Sequence, residues 1–211
     1  GFLSAPRPYH PLISALKPAF LATADHYAML GNHGENYAAL LTLMALNPAD
    51  TFTDPELAKA TAALPPAGLA HTAQALVRAL DSAGDLRKEF WTHRVAPYLH
   101  AIWPKSRAHL APAIASIFGH LCVAAHDAFP DAVSRLKGWL QPLDHPEYLI
   151  HRLHASGLCS KFPESALDFL SQVITQVTRW PPDKLGACLR QIEDANPMLK
   201  GDPRIGQLIE M

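Results

Sequence analysis

The stretch DHPEYLIHRLHASGLCSKFPESALDFLSQVITQV, from Asp144 to Val177, decides the fold of this chain. It contains two segments with apolar residues at helical spacing, and each has a proline in its first turn, Pro146 and Pro163. Proline is favoured at the first helical position because the N–H that it lacks would have no partner there. Gly157 stands between the segments, where the left-handed conformation that closes many helices favours glycine. The stretch therefore predicts two consecutive helices.

The same arrangement recurs along the chain, and it predicts further helices that begin close to Pro55, Pro130 and Pro203. Every longer segment has the helical spacing of apolar residues, and none alternates as a half-buried strand does. We therefore expect an all-α fold, built as an irregular α-solenoid of HEAT-like helical hairpins or as an orthogonal helical bundle. Residues 1–50 are expected to form an N-terminal helical hairpin that packs on a helical-repeat-like domain, residues 51–211. Together they would form one continuous structural unit cut from a larger protein.

The composition excludes several classes of protein. The 18 Lys and Arg residues nearly balance 19 Asp and Glu, so the net charge of −1 gives no overall attraction to nucleic acid or to an anionic membrane. The sequence contains no apolar run of about 18 residues that could cross a bilayer. Charged residues make up only 18% of the chain, compared with about 25% in typical soluble domains. Some apolar surface is therefore expected to face another chain or domain.

The three cysteines, Cys122, Cys159 and Cys188, are too few and too widely spaced for a disulfide framework. Each lies in an apolar helical context, so we expect three small buried hydrophobic residues. Free thiols of this kind are typical of a reducing compartment, and the cytoplasm is the expected location.

One local excess of basic residues lies between Arg87 and His109, interleaved with two tryptophans. A solvated helix face is the simplest interpretation of such a cluster. Protein interfaces, however, concentrate their binding energy in aromatic and arginine side chains. The candidate binding residues are therefore Trp91, Arg94, Trp103, Lys105 and Arg107.

The histidines suggest a metal site, which we consider and set aside. His151 and His154 are three positions apart on one helix, and Cys159 could fold back from the following turn to complete three zinc ligands. The spacing matches neither C-x-x-C nor H-E-x-x-H, so capping or hydrogen-bonding roles are preferred. We expect no bound metal, with these three residues as the fallback ligands.

A second cluster contains His120, Cys122 and His126. Cys122 and His126 are one helical turn apart, which would allow a thiolate–imidazole pair. Cys122 lies on an apolar stripe, however, where burial makes a thiol unreactive, so core packing is the preferred interpretation. No nucleophile or phosphate-binding motif occurs elsewhere, so neither enzymatic activity nor a cofactor is expected.

Three motifs together resemble a known group of proteins. They are F-W-x-x-R-x-x-P-Y-L-x-x-I-W-P (Phe90–Pro104), D-A-F-P-D-A (Asp127–Ala132) and H-R-L-H-A-S-G-L-C-S-K-F-P (His151–Pro163). The series is similar to the C-terminal helical region of large bacterial proteins, some of which carry an upstream sirtuin-like domain and are associated with phage defence. The resemblance covers roughly Phe90 to Asp202 and implies no catalytic residue here. The sequence has no sirtuin-type nucleotide motif, so any such activity would belong to a segment outside it.

The expected function is that of a non-catalytic helical interaction or scaffold module of a larger bacterial protein. Its partner would be another protein or a neighbouring domain, because solenoids expose extended concave surfaces. One alternative is a helical nucleic-acid-binding domain that uses residues 87–109, with basic groups beside the aromatic rings on which bases stack. The other alternative is a small metal-dependent hydrolase built on His151, His154 and Cys159.

Overall fold

The computed structural model describes residues 11–24, 26–46, 54–103, 112–174 and 182–209. These ranges consist of helices and short connections, and no β-strand occurs within them, which confirms the predicted all-α class. Across the same ranges, every helix is too short or too polar to cross a lipid bilayer. The chain divides into two compact units, residues 1–111 and 112–211. The expected arrangement, a hairpin of residues 1–50 on a helical-repeat-like domain of residues 51–211, stays a prediction.

The first unit contains six α-helices in its described part, and a 3-10 turn at Tyr27–His33 joins the first two. The helices are α1 (Pro11–Ala24), α2 (Gly34–Ala45), α3 (Pro55–Ala62), α4 (Pro66–Ser82), α5 (Arg87–Phe90) and α6 (Ala96–Ile102). Helix α2 packs on α3 and α4, and α3 also contacts α1 and α6. Helices on either side of residue 50 therefore share one core.

A buried hydroxyl chain links the helices of that core. Tyr98 on α6 donates its phenolic hydrogen to Thr61 Oγ1 on α3 at 2.8 Å, and Thr61 donates in turn to the Leu57 carbonyl at 2.8 Å. Burial raises the pKa of Tyr98 to about 12, so this hydroxyl stays protonated at neutral pH. Each polar atom of the chain has a partner, which removes most of the cost of burying it.

Two local predictions for this unit can be compared with the structure. Asp54 caps α3 as expected, because its carboxylate accepts hydrogen bonds from the backbone N–H groups of Glu56 and Leu57. The sequence predicts that Pro18 bends or interrupts its helix; it does not interrupt it, since α1 runs through Pro18. Pro18 is exposed, so water can hydrogen bond the carbonyl that its ring leaves unpaired.

Pro97 predicts a kinked or split helix, and the regular α-helix is indeed interrupted just before it. Between α5 and α6 the chain makes a π-helical turn, Trp91–Val95, and the Ala96 N–H donates to the Trp91 carbonyl five residues back. Because Pro97 has no N–H, the regular ladder cannot continue unchanged through this point. The wider turn accommodates the proline and lets α6 follow.

The second unit contains seven α-helices in its described part. They are α7 (Pro112–Ala124), α8 (Phe129–Leu136), α9 (Glu147–Ala155), α10 (Leu158–Lys161), α11 (Pro163–Val173), α12 (Leu185–Ala195) and α13 (Pro203–Ile209). Helix α12 packs on α9, α10 and α11, while α11 also contacts α8 and α13. This unit is a bundle in which helices meet others that are not their sequence neighbours.

The predicted helix starts are confirmed in both units. Helices begin within two residues of Pro55, Pro130, Pro146, Pro163 and Pro203. Gly157 adopts a φ of 69° just before α10, which is the left-handed conformation expected of it. The helical spacing of apolar residues also predicts four core side chains, and all four are buried, namely Leu121, Leu153, Leu170 and Ile174. The helical repeat itself stays a prediction.

We predict that Gly119→Ala destabilises the second unit. A Cβ atom at Gly119 on α7 would lie 2.6 Å from Cδ2 of Leu149, a residue of α9 that is 1% exposed. Overpacking of this kind costs about 1–3 kcal/mol, against a gain of up to about 1 kcal/mol in helix propensity. The free energy of unfolding in urea measures the net loss.

Two controls make this test specific. A methyl group added at Gly186 on α12 would meet no atom within 4 Å, so Gly186→Ala should stabilise the chain through propensity alone. In a Leu149→Ala background, Gly119→Ala should cost less because the obstructing side chain is gone. The same cost in both backgrounds would show that α7 and α9 do not approach closely at Gly119.

Candidate functional site

The two tryptophans proposed as binding residues do not lie on the surface. Trp91 is 0% exposed and Trp103 is 4% exposed, so the interpretation of both as exposed anchors is wrong. Trp91 shares a buried face with Val95 and Tyr98, which follow it at helical spacing. This helical spacing of apolar residues indicates core packing. Here it is a better guide to the position of Trp91 than the frequent occurrence of tryptophan at interfaces.

The basic residues of the same stretch have separate surroundings. Arg87 donates from Nε to the Leu80 carbonyl at 3.2 Å and from Nη2 to the Asp81 carbonyl at 3.3 Å. These carbonyls belong to the last turn of α4, and the Leu80 carbonyl also accepts the Ala83 N–H at 3.0 Å. Arg94 is half-buried, and the candidates Lys105 and Arg107 lie outside the described residues. Arg87 therefore hydrogen bonds carbonyl groups at the C-terminal end of α4.

The fallback metal ligands are not brought together. His151 is exposed, Cys159 is fully buried, and His154 is half-buried with its Nε2 atom 3.4 Å from Nε2 of Gln191. Across the part of the chain that the structure describes, no three His, Cys, Asp or Glu side chains are grouped so that they could hold one ion. His154 on α9 therefore makes a polar contact with Gln191 on α12.

The second histidine cluster is also dispersed. Cys122 is fully buried, which confirms its predicted place in the core, and burial raises the pKa of its thiol. His126 instead places Nδ1 2.8 Å from Oδ1 of Asp127, and the His120 ring packs on Tyr148 with centroids 5.4 Å apart. The arrangement favours packing over a thiolate–imidazole pair.

The structure brings two of the resemblance motifs into direct contact. Lys161 at the end of α10 places Nζ 2.6 Å from Oδ1 of Asp127, and hydrogen bonds from Lys161 and His126 hold the pKa of Asp127 below its usual range. Beneath this pair, the Phe129 ring stacks on Phe162 at 6.5 Å between centroids. The motif residues therefore join the start of α8 to the end of α10.

The exposed side chains described on α1 are apolar, and α2 exposes two leucines beyond the exposed Glu35 and Asn36 of its first turn; the sequence pattern did not predict this surface. The exposed residues among the described side chains of α1 are Ala15, Leu16, Pro18, Ala19 and Ala22. On α2, Leu40 and Leu43 are 50% and 49% exposed on one face. The rings of Phe20 and Tyr37 stack at 5.4 Å and hold the two helices together. We call these exposed residues the α1–α2 face.

We predict that His126→Gly stabilises the second unit. His126 follows the end of α7 with a φ of 49°, a left-handed conformation that costs a non-glycine residue about 1–2 kcal/mol. Glycine removes that cost but loses more entropy on folding, so the net gain in the free energy of unfolding should be about 0.5–1 kcal/mol. His126→Ala is the control, since it loses the same exposed contact and keeps the unfavourable φ. Equal stabilities for the two variants would contradict this account.

Comparison with known proteins gives one distant relative and no established function. No known protein family matches the chain, and no solved structure shows a significant match. A stretch of 130 residues is 27% identical to an uncharacterized protein of Sinorhizobium fredii, y4cA. The stretch makes up 61% of this chain and 11% of that protein. The matched stretch thus spans about a tenth of the length of this relative.

Proposed function

We propose that this chain is a non-catalytic helical interaction module, and that the α1–α2 face is the surface it uses. The observation that carries the proposal is the chemistry of this face. A surface helix normally presents charged or polar residues to water, whereas the exposed side chains described on α1 are all alanine, leucine or proline. Contiguous exposed apolar surface is typical of protein–protein contacts.

The charged group on α1 does not interrupt this face. Lys17 places Nζ 2.7 Å from Asp54 Oδ2 and 2.5 Å from Glu56 Oε2, so its charge is directed toward the start of α3. The pKa of Lys17 is raised: desolvation on its own would lower it, but the two carboxylates favour the charged form more strongly. The partner surface would therefore be apolar, because a charged partner would find no counter-charge on the exposed side chains of α1.

The partner is proposed to be a protein surface, either elsewhere in a longer chain or on a separate protein. The relative from Sinorhizobium fredii supports the first arrangement, since its matching stretch is a small part of a long protein. The proposed association with phage defence rests only on the resemblance of the three sequence motifs.

The two alternative functions have less support. Bases stack on exposed aromatic rings, and both tryptophans of residues 87–109 are buried. A metal-dependent hydrolase would need His151, His154 and Cys159 to converge, and among the described side chains they do not form a ligand group. Neither is advanced as a second function.

We predict that the α1–α2 face contacts another polypeptide surface in cells. A photo-crosslinking residue at position 40, in cells that make the protein at its natural length, should give a covalent product with a protein segment identified by mass spectrometry. Leu86, which is 41% exposed and lies outside α1 and α2, is the matched control position. The yield at position 40 should exceed that at 86 several-fold.

A charge substitution provides the complementary measurement. Leu40→Glu/Leu43→Glu should abolish the contact, because it would bury carboxylates against an apolar surface, while Leu86→Glu should leave it intact. Equal cross-linking at the two positions, or a contact that survives the double substitution, would overturn the proposal. So would turnover of a substrate by the isolated chain.

A further inference from the structure

Helix α13 buries little apolar surface against the rest of the second unit. It is seven residues long and packs on α11 and on the 3-10 turn Pro197–Gly201. Its buried residues are Ile205 and Leu208, three positions apart on one face, whereas α11 buries five residues and α12 buries four. A helix this short is marginal in water without its tertiary contacts. Detaching α13 would therefore expose less apolar surface than detaching α11 or α12.

Charged side chains supply the other attachment of α13. Arg204 in its first turn donates from Nη1 to Oδ1 of Asp168 on α11 at 2.7 Å. Asp202 holds the same guanidinium from the helix start, since it accepts from Nε at 2.9 Å and from Nη2 at 2.7 Å. Asp202 Oδ1 also accepts the backbone N–H of Arg204 and so caps the helix. The start of α13 therefore fixes the Arg204 side chain in the position from which Nη1 reaches α11.

The carboxylate of Asp168 also holds a second cation. Its other oxygen, Oδ2, accepts a hydrogen bond at 2.9 Å from Nζ of Lys137, the residue that follows α8. The Asp168 and Arg204 side chains are 36% and 33% exposed, so water and salt reach this ion pair. Salt screens ion pairs that solvent reaches. The polar attachment of α13 to α11 can therefore open without any change in the apolar core.

We propose that α13 is a strap that detaches from α11 as one unit while the other helices of the second unit stay folded, and that Asp168 fastens it. The 3-10 turn before α13 stays attached in the open form, because Leu199 is buried and Asn196 Oδ1 accepts the Met198 N–H at 3.2 Å. Opening uncovers the apolar surface that Ile205 and Leu208 cover. The second unit thus holds an apolar surface whose exposure depends on the state of α13, unlike the α1–α2 face, which is always exposed.

Residue-resolved native-state hydrogen exchange of the whole chain tests the proposal. Local openings that expose little surface need less free energy than global unfolding, so the amides of α13 should exchange about tenfold or more faster than those of α11 and α12. They should also share one opening with a small dependence on denaturant. Raising NaCl from about 0.05 M to about 1 M should accelerate exchange in α13 relative to α12, because it screens the Asp168–Arg204 pair.

A pair of matched variants tests the role of Asp168. Asp168→Asn should accelerate exchange in α13 relative to α12 by about two- to fivefold, the range typical of a solvent-exposed ion pair. Asp131→Asn is the control, since it removes a carboxylate that binds Arg135 within α8 at 2.7 Å and should leave α13 unchanged.

The outcomes are decided by exchange in α13 measured against α12. Amides of α13 that open only together with those of α11 and α12 would overturn the strap. Equal exchange in α13 for Asp168→Asn and Asp131→Asn would overturn the fastening by Asp168. If Asp168→Asn weakens the whole unit, the salt dependence in the unsubstituted chain decides the same point, and no acceleration of α13 by salt would contradict the ionic attachment.

Discussion

The second unit depends on the contact made by the Phe129 ring. Phe129 is fully buried, and its ring lies 6.5 Å from that of Phe162 and 5.6 Å from that of Phe169, measured between centroids. Two of these phenylalanines directly precede prolines in the first turns of α8 and α11, so one aromatic cluster holds two helix starts together. Buried aromatic clusters contribute far more than exposed ion pairs. The exposed Asp127–Lys161 ion pair therefore helps to set which residues of the two motifs face each other, and it contributes less to stability than the aromatic cluster does.

Features set by local backbone chemistry could be predicted from the sequence. A proline fixes φ and lacks a donor wherever it stands, so the starts near Pro163 and Pro203 needed no knowledge of the tertiary fold. The same holds for the Asp54 cap and for the left-handed Gly157. Helical spacing alone placed Leu121 and Leu170 in the core.

Features that depend on which helices meet could not be predicted in the same way. The sequence shows that Arg87 is charged, but only the fold brings its guanidinium to the carbonyls in the last turn of α4. The helical spacing of Trp91 with Val95 and Tyr98 indicates a buried face, whereas its residue type is also common at interfaces. The charged fraction indicated unpartnered apolar surface, and the fold was needed to locate it on α1 and α2.

The central claim is that the motifs around Phe129 and Phe162 hold helices together instead of forming a reactive site. Residue-resolved native-state hydrogen exchange of the Phe129→Ala variant tests it most directly. The account predicts that the free energy of opening at amides of α8 and α11 falls by about 3–5 kcal/mol, with the amides of α2 and α4 in the other unit as the internal reference. Unchanged protection of α8 and α11 would contradict it.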